Sequence, residues 1–293
     1  MKSARFRYFA PHTIAEAVQL LDEQGDEARL LAGGQSLLPL LNLRLARPSA
    51  LIDLNEIQAL AFIHPRNGGL VLGALTRDAT LERDPLVAAR QPLLVEAAHY
   101  VGHPAIRHRS TLGGSLAHAD PAAELPAVML ALDAAFTLQS STGSRTIAAA
   151  AFFKGPFQTA LQHGEILTEV HLPGLPPRSG SAFLEFARRE GDYALAGVAA
   201  VICLAEDGTI AQARLTLCSV APTPLQATTA EALLRGRHPD DAAWQAAAEA
   251  VVNELKEPPA DIHGSADYRR HLAGVLTRRA LALAAQRAER SHS

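Results

Sequence analysis

Two stretches decide the reading of this chain: Arg29-Leu-Leu-Ala-Gly-Gly-Gln-Ser36, continuing through Leu37 and Leu38 to Pro39, and Thr111-Leu-Gly-Gly-Ser-Leu-Ala-His-Ala-Asp120. Each pairs two glycines with a hydroxyl residue, Ser36 or Ser115, and each is expected to follow a strand. Glycine lets a backbone approach a ligand closely, and successive N–H groups in such a turn form a concavity that suits an anion. A serine hydroxyl adds one more donor for a phosphate oxygen. Two such loops can hold the two halves of one pyrophosphate. Neither stretch has the G-x-G-x-x-G or G-x-x-x-x-G-K-[ST] spacing, which argues against a Rossmann or P-loop site. The competing reading of each loop is a tight turn and nothing more.

Outward from the first loop, Phe6, Tyr8 and Phe9 form a short aromatic strand, and Thr13 caps a helix with Glu16 completing a capping box. Gly25 ends that helix, and Ala50–Leu54 supplies a second apolar strand that closes a βαβ-like unit near residue 57. Beyond it, Gly69–Ala74 reads as a strand, followed by a helical stretch through Tyr100. After the second loop, Pro121 is placed to open a helix running to Ala131, with Asp120 as its cap. Phe136–Gln139 and Arg145–Ala148 read as a hairpin, and Glu165–Leu172 as another strand. Pro173–Gly180 is a linker by composition. Three strands follow, Phe183–Arg188, Gly197–Leu204 and Ala211–Val220, the last two joined at Asp207-Gly208. Helices near Thr229–Leu234, Ala242–Leu255 and Tyr268–Ala288 complete a small α+β unit. The domain expectation is 1–176, in subdomains of about 1–57 and 58–176, and then 177–293.

Composition narrows the function. The 293 residues carry 27 Lys and Arg against 30 Asp and Glu, a balance that argues against a nucleic-acid or anionic-membrane partner. Cys203 and Cys218 are the two cysteines, too few for a four-thiolate iron–sulfur or zinc site in this chain, and both fit buried strand positions. The start of the sequence lacks the apolar core of a signal peptide, and no apolar run is long enough for a membrane span, so the cytoplasm is the expected location. His118 and Asp120 stand two apart without a third ligand nearby, which argues against metal. Tyr193 can stack on a planar ring or simply pack. On residues alone, the chain reads as a two-domain protein that binds a phosphorylated ligand.

The loops carry more when read with their neighbours. Ala32–Pro39, Pro48–Leu54, Gly73-Ala-Leu-Thr76, Ile106–Pro121 and Phe186–Ala194 together resemble the FAD-binding middle subunit of molybdenum hydroxylases, the xanthine dehydrogenase and carbon monoxide dehydrogenase type. The resemblance implies an α+β protein, with a two-subdomain PCMH-type FAD-binding domain followed by a C-terminal flavoprotein domain. It implies that Leu30, Leu31, Ala32, Gly33, Gly34, Gln35, Ser36 and Leu37 cradle the FAD pyrophosphate with Thr111, Leu112, Gly113, Gly114 and Ser115. Val101 and Leu167 would line the cofactor, Glu124 would sit near its adenosine part and Tyr193 beside the isoalloxazine. Gln35 stands where relatives commonly have histidine, and the lysine many relatives carry near Leu184 and Glu185 is missing.

The implied role is electron relay, from [2Fe-2S] clusters of a small subunit through FAD to NAD+ or another acceptor. A large molybdopterin subunit would oxidise the organic substrate, and the assembly would be a dimer of heterotrimers. No catalytic or metal-ligating residue is expected in this chain. The alternatives are a free-standing FAD-dependent oxidoreductase of the same fold, and a non-catalytic nucleotide-binding protein.

Overall fold

In the computed structural model, which describes residues 2–290, the chain starts with β1 (Arg7–Phe9) and helix α1 (Ile14–Gln24). The capping box forms as expected: Thr13 Oγ1 accepts the Glu16 N–H at 3.1 Å, and Glu16 Oε2 accepts the Thr13 N–H at 3.3 Å. Gly25 ends α1 at φ 68°, a conformation that costs glycine nothing. Then come β2 (Ala28–Leu31), α2 (Leu37–Asn42) and β3 (Ala50–Asp53). The three strands are parallel in the order β1-β3-β2, and α1 buries Ala17, Val18 and Leu21 beside Ala50 and Ile52.

Strand β4 (Ile63–Arg66) pairs with β5 (Gly69–Gly73). Only β5 is legible as a strand, because β4 is an edge strand, mostly exposed and carrying Pro65. The helical stretch to Tyr100 resolves into α3 (Asp78–Leu81), α4 (Pro85–Arg90) and α5 (Pro92–Tyr100). Pro85 and Pro92 cannot donate to a preceding turn, so each opens a new helix. Helices α6 (Pro104–Arg107), α7 (Leu112–His118) and α8 (Glu124–Ala131) follow.

Two expectations are corrected here. The second glycine stretch does not follow a strand: Thr111 is the N-cap of α7, so Gly113 and Gly114 lie in a helical turn. The last of these helices starts at Glu124, not Pro121. The Pro121 carbonyl, which a helix would use internally, accepts the Ser219 N–H at 2.7 Å instead. Asp120 Oδ1 accepts the Ala122 N–H at 2.9 Å, closing a turn in place of the expected cap.

The hairpin β6 (Ala135–Ser140) and β7 (Gly143–Ala148) forms where predicted. It is followed by α9 (Ala149–Phe152), the ribbon β8 (Phe153–Gly155) with β9 (Gln158–Thr159), and β10 (Ile166–Leu172). An antiparallel sheet of order β4-β5-β10-β6-β7 results, with α8 buried along its whole length beside Phe136 and Leu138.

After residues 173–178 come β11 (Ser179–Phe186), β12 (Ala196–Leu204), β13 (Ile210–Cys218) and the short β14 (Leu225–Gln226), one strand more than expected. Helices α10 (Thr228–Leu234), α11 (Asp241–Glu254) and α12 (Ala266–Arg290) end the chain. Strand β12 is apolar throughout because both its faces are covered. Val198, Ala200 and Ile202 join the core that includes Leu276 and Leu281 of α12, while Ala199 and Val201 join the core that includes α8. None of the described helices is long and apolar enough to cross a membrane.

Candidate functional site

A cleft of about 970 Å³ opens between the parallel sheet, the α6–α8 segment and the β11–β12 turn, which contributes Gly191, Asp192 and Tyr193. Both glycine stretches border it. They are held against each other by backbone contact: a β-carbon on Gly33 would overlap the Arg109 carbonyl and the Ser110 Cα. A polar relay fixes the same junction. Asn55 Nδ2 donates to the Ala32 carbonyl at 2.9 Å, Arg77 Nη2 donates to Asn55 Oδ1 at 2.6 Å, and Arg77 Nη1 donates to the Arg109 carbonyl.

The two stretches differ in what they offer. In the first, Gly34 adopts φ 74°, and the turn it makes carries the chain from β2 into α2. Gln35 turns back on its own loop, its amide donating to the Gly33 carbonyl at 3.0 Å. In the second, the Gly113 N–H goes to the Ala74 carbonyl at 2.8 Å and the Gly114 N–H to Thr111 Oγ1 at 3.2 Å. These amides are committed inside the protein, so the expected concavity of free N–H groups belongs to the first loop. The second stretch borders the cleft with Thr111, its two glycines and Ser115.

The residues that the resemblance assigns to the cofactor all border this one cleft except Leu31 and Leu112. Leu31 ends strand β2, and Leu112 is fully buried in the core beside Leu116. Val101 follows α5, Leu167 comes from β10, and Tyr193 stands at the mouth, 64% exposed. Glu124 is only 6% exposed at the start of α8, and burial pushes its carboxyl up to about 7, with the charges of Asp78 and Asp120 adding to the shift. Glu185 is pushed up to about 9 by burial and by Glu124, and its Oε2 has no hydrogen-bond partner. Burial therefore favours its neutral form.

Sequence reasoning missed three contributors. Asp78 and Ser110 border the floor, and His103 the wall, where a β-carbon on Gly191 would overlap its ring. Asp78 stands two residues beyond Thr76, yet an Asp in a helix's first turn is common enough to carry no signal. His118, read beside Asp120 in the sequence, packs its ring against Phe157 at 5.1 Å.

Comparison with known proteins places this geometry. Residues 4–175 match the family model described as the FAD binding domain in molybdopterin dehydrogenase. Residues 181–284 match the CO dehydrogenase flavoprotein C-terminal domain. The chain belongs to the FAD-binding subunits of the molybdenum hydroxylases.

Relatives of this FAD subunit match it end to end. The 6-hydroxypseudooxynicotine dehydrogenase complex subunit alpha of Paenarthrobacter nicotinovorans is 43% identical, covering 98% of this chain and 97% of its own. The carbon monoxide dehydrogenase medium chain of Hydrogenophaga pseudoflava is 40% identical over 94% of this chain and 96% of its own. The solved carbon monoxide dehydrogenase from that organism, in a form lacking the Mo-pyranopterin moiety, superposes with a TM-score of 0.95 at 42% identity, covering 98% and 99% of the two chains. Quinoline 2-oxidoreductase from Pseudomonas putida 86 superposes at 0.92, also with 42% identity and 98% and 99% coverage.

FAD is the cofactor of this subunit, and molybdenum and iron–sulfur centres reside on other subunits in the family. The cleft fits that assignment. Its volume lies at the upper end of small-molecule sites, about 300–1,000 Å³, and the backbone reaches it at paired glycines.

Proposed function

We propose that this chain relays electrons from [2Fe-2S] clusters of a small subunit through its FAD to NAD+ or another acceptor, within a dimer of heterotrimers whose large molybdopterin subunit oxidises the organic substrate. FAD supplies the chemistry that joins one-electron carriers to a two-electron acceptor. The chain's own residues bind and orient it. In this reading the turn from Leu30 to Leu37 holds the pyrophosphate, Ser115 adds a hydroxyl, Val101 and Leu167 line the cofactor, Glu124 faces the adenosine part and Tyr193 covers the ring. A domain division in the 173–178 segment, between β10 and β11, goes with this proposal.

The observation that carries it is the single cleft built by both glycine stretches and closed by Tyr193 from the β11–β12 turn. Two experiments test it. Acid precipitation of the purified chain should release one FAD per chain into the supernatant, and yellow colour kept in the pellet would contradict non-covalent binding. The lone chain should show at most weak NADH- or dye-linked activity, and its flavin should be reduced by the organic substrate only after both partner subunits are added. Rapid reduction by that substrate without partners would replace the relay with a free-standing oxidoreductase.

A further inference from the structure

Asp78 is fully buried at the start of α3, and neither carboxylate oxygen has a hydrogen-bond partner. Such a group is costly to leave unsatisfied, and more so when charged. The nearby cations give it charge but no hydrogen bond. Arg107 is engaged by Glu82 at 2.9 Å and by the Gly102 carbonyl at 2.9 Å. Arg77 is engaged by Asn55 and the Arg109 carbonyl. The side chain beside Asp78 is Ser110, half-buried on the cleft floor, whose hydroxyl donates to the Ile106 carbonyl at 3.0 Å. Burial pushes the Asp78 carboxyl up to about 6, with the Ser110 hydroxyl and the charges of Arg107 and Arg77 holding it back. The backbones are locked together here, the Asp78 N–H donating to the Ser110 carbonyl at 3.3 Å.

Resting on the FAD assignment, we propose that Ser110 and Asp78 form a binding pair for a sugar hydroxyl of the bound dinucleotide, with Ser110 touching the ligand and Asp78 positioning it. A serine hydroxyl has one proton and two acceptor sites. Once that proton turns from the Ile106 carbonyl to Asp78, the Ser110 oxygen facing the cleft can only accept. It then selects a donor, a ribityl or ribose hydroxyl, and offers nothing to a phosphate oxygen, which only accepts. A ligand hydroxyl donating to that oxygen keeps the Ser110 proton on Asp78, which no other side chain hydrogen-bonds.

The test is FAD titration of the full-length chain, monitored by flavin fluorescence, in Ser110→Ala, Asp78→Leu and the double variant. Each single variant should bind FAD about tenfold more weakly. The double variant should be no worse than either single one, because the two residues act as a unit. Asp78→Leu should also melt at or above the temperature of the parent without FAD, since it removes an unsatisfied buried carboxyl. If that variant does not fold, Asp78→Asn, which keeps an acceptor for Ser110, replaces it and should restore most of the affinity.

Competition with FMN and ADP locates the hydroxyl: a loss confined to FMN marks the ribityl chain, and a loss confined to ADP marks the ribose. Three results would overturn the pair: Ser110→Ala binding FAD within twofold of the parent, losses that multiply in the double variant, or equal losses for FMN, ADP and inorganic pyrophosphate. A parent chain that fails to bind FAD would instead refute the cofactor assignment, so the two failures are separable.

Discussion

Glu124 shows how a buried carboxyl can weaken the flavin-free fold. In the unfolded chain its carboxyl ionises near 4.5, and in the folded chain burial raises that to about 7. Between those values the folded chain keeps a proton that the unfolded chain has lost, so stability falls as pH rises through this window and then levels off. Glu124→Gln should therefore raise the melting temperature of the flavin-free chain at pH 8, by a gain on the order of 1–3 kcal/mol, and change it little at pH 4.5. An equal gain at both pH values would point to packing instead of charge. Gly114 makes a second residue-scale case. A β-carbon there would stand 2.7 Å from Thr111 Oγ1, the cap of α7, and 3.7 Å from the Ala32 β-carbon. Gly114→Val should cost about 1 kcal/mol through the lost cap and lower FAD affinity at least tenfold, about 1.4 kcal/mol. Unchanged affinity in a folded variant would reduce the stretch to a turn.

Among the elements, α6 is anchored by the side chain of its own last residue, Arg107. Arg107 ties it to α3 through Glu82 and holds the carbonyls of Val101 and Gly102, at 3.3 and 2.9 Å, in the turn that follows α5. That turn sets Val101 and His103 in the cleft wall. Without the guanidinium, half-buried Glu82 keeps His99 at 2.9 Å, so the cost falls below that of stranding a fully buried charge. Arg107→Met should lose about 1–3 kcal/mol in denaturant unfolding and weaken FAD binding as well. A loss of stability with full affinity would separate the pair from the cleft. The same elements show what was legible. The α1 capping box, the β6–β7 hairpin and β12 read directly from sequence because each is set by neighbouring residues. The late start of α8 was not, because Ser219, far along the chain, claims the Pro121 carbonyl.

Across the whole molecule, the two antiparallel sheets share a core. Phe183, Ala199, Val201 and Cys218 pack in one cluster with Leu125, Val128 and Phe136. Polar ties cross the same boundary: Thr216 Oγ1 donates to the Ala127 carbonyl at 2.7 Å, and Glu96 accepts the Phe183 N–H at 2.9 Å while pairing with Arg287 at 2.5 Å. Calorimetry of the full chain should accordingly show one cooperative transition. Two well-separated transitions would mean that the shared cluster contributes little to stability.

Local pattern and composition determined much. Glycine pairs with hydroxyls marked the loops, alternating apolar runs marked most strands, and two cysteines sent the iron–sulfur centres to other chains. What they could not determine was which backbone amides stay free, since Gly113 and Gly114 lose theirs to Ala74 and Thr111 only when β5 and α7 meet. Nor could they show that Asp78, Glu124 and Glu185 would be buried carboxyls with raised pKa values. Burial is a property of the neighbours that folding brings in from distant parts of the chain, and desolvation, not the residue type, sets the charge each carboxyl carries.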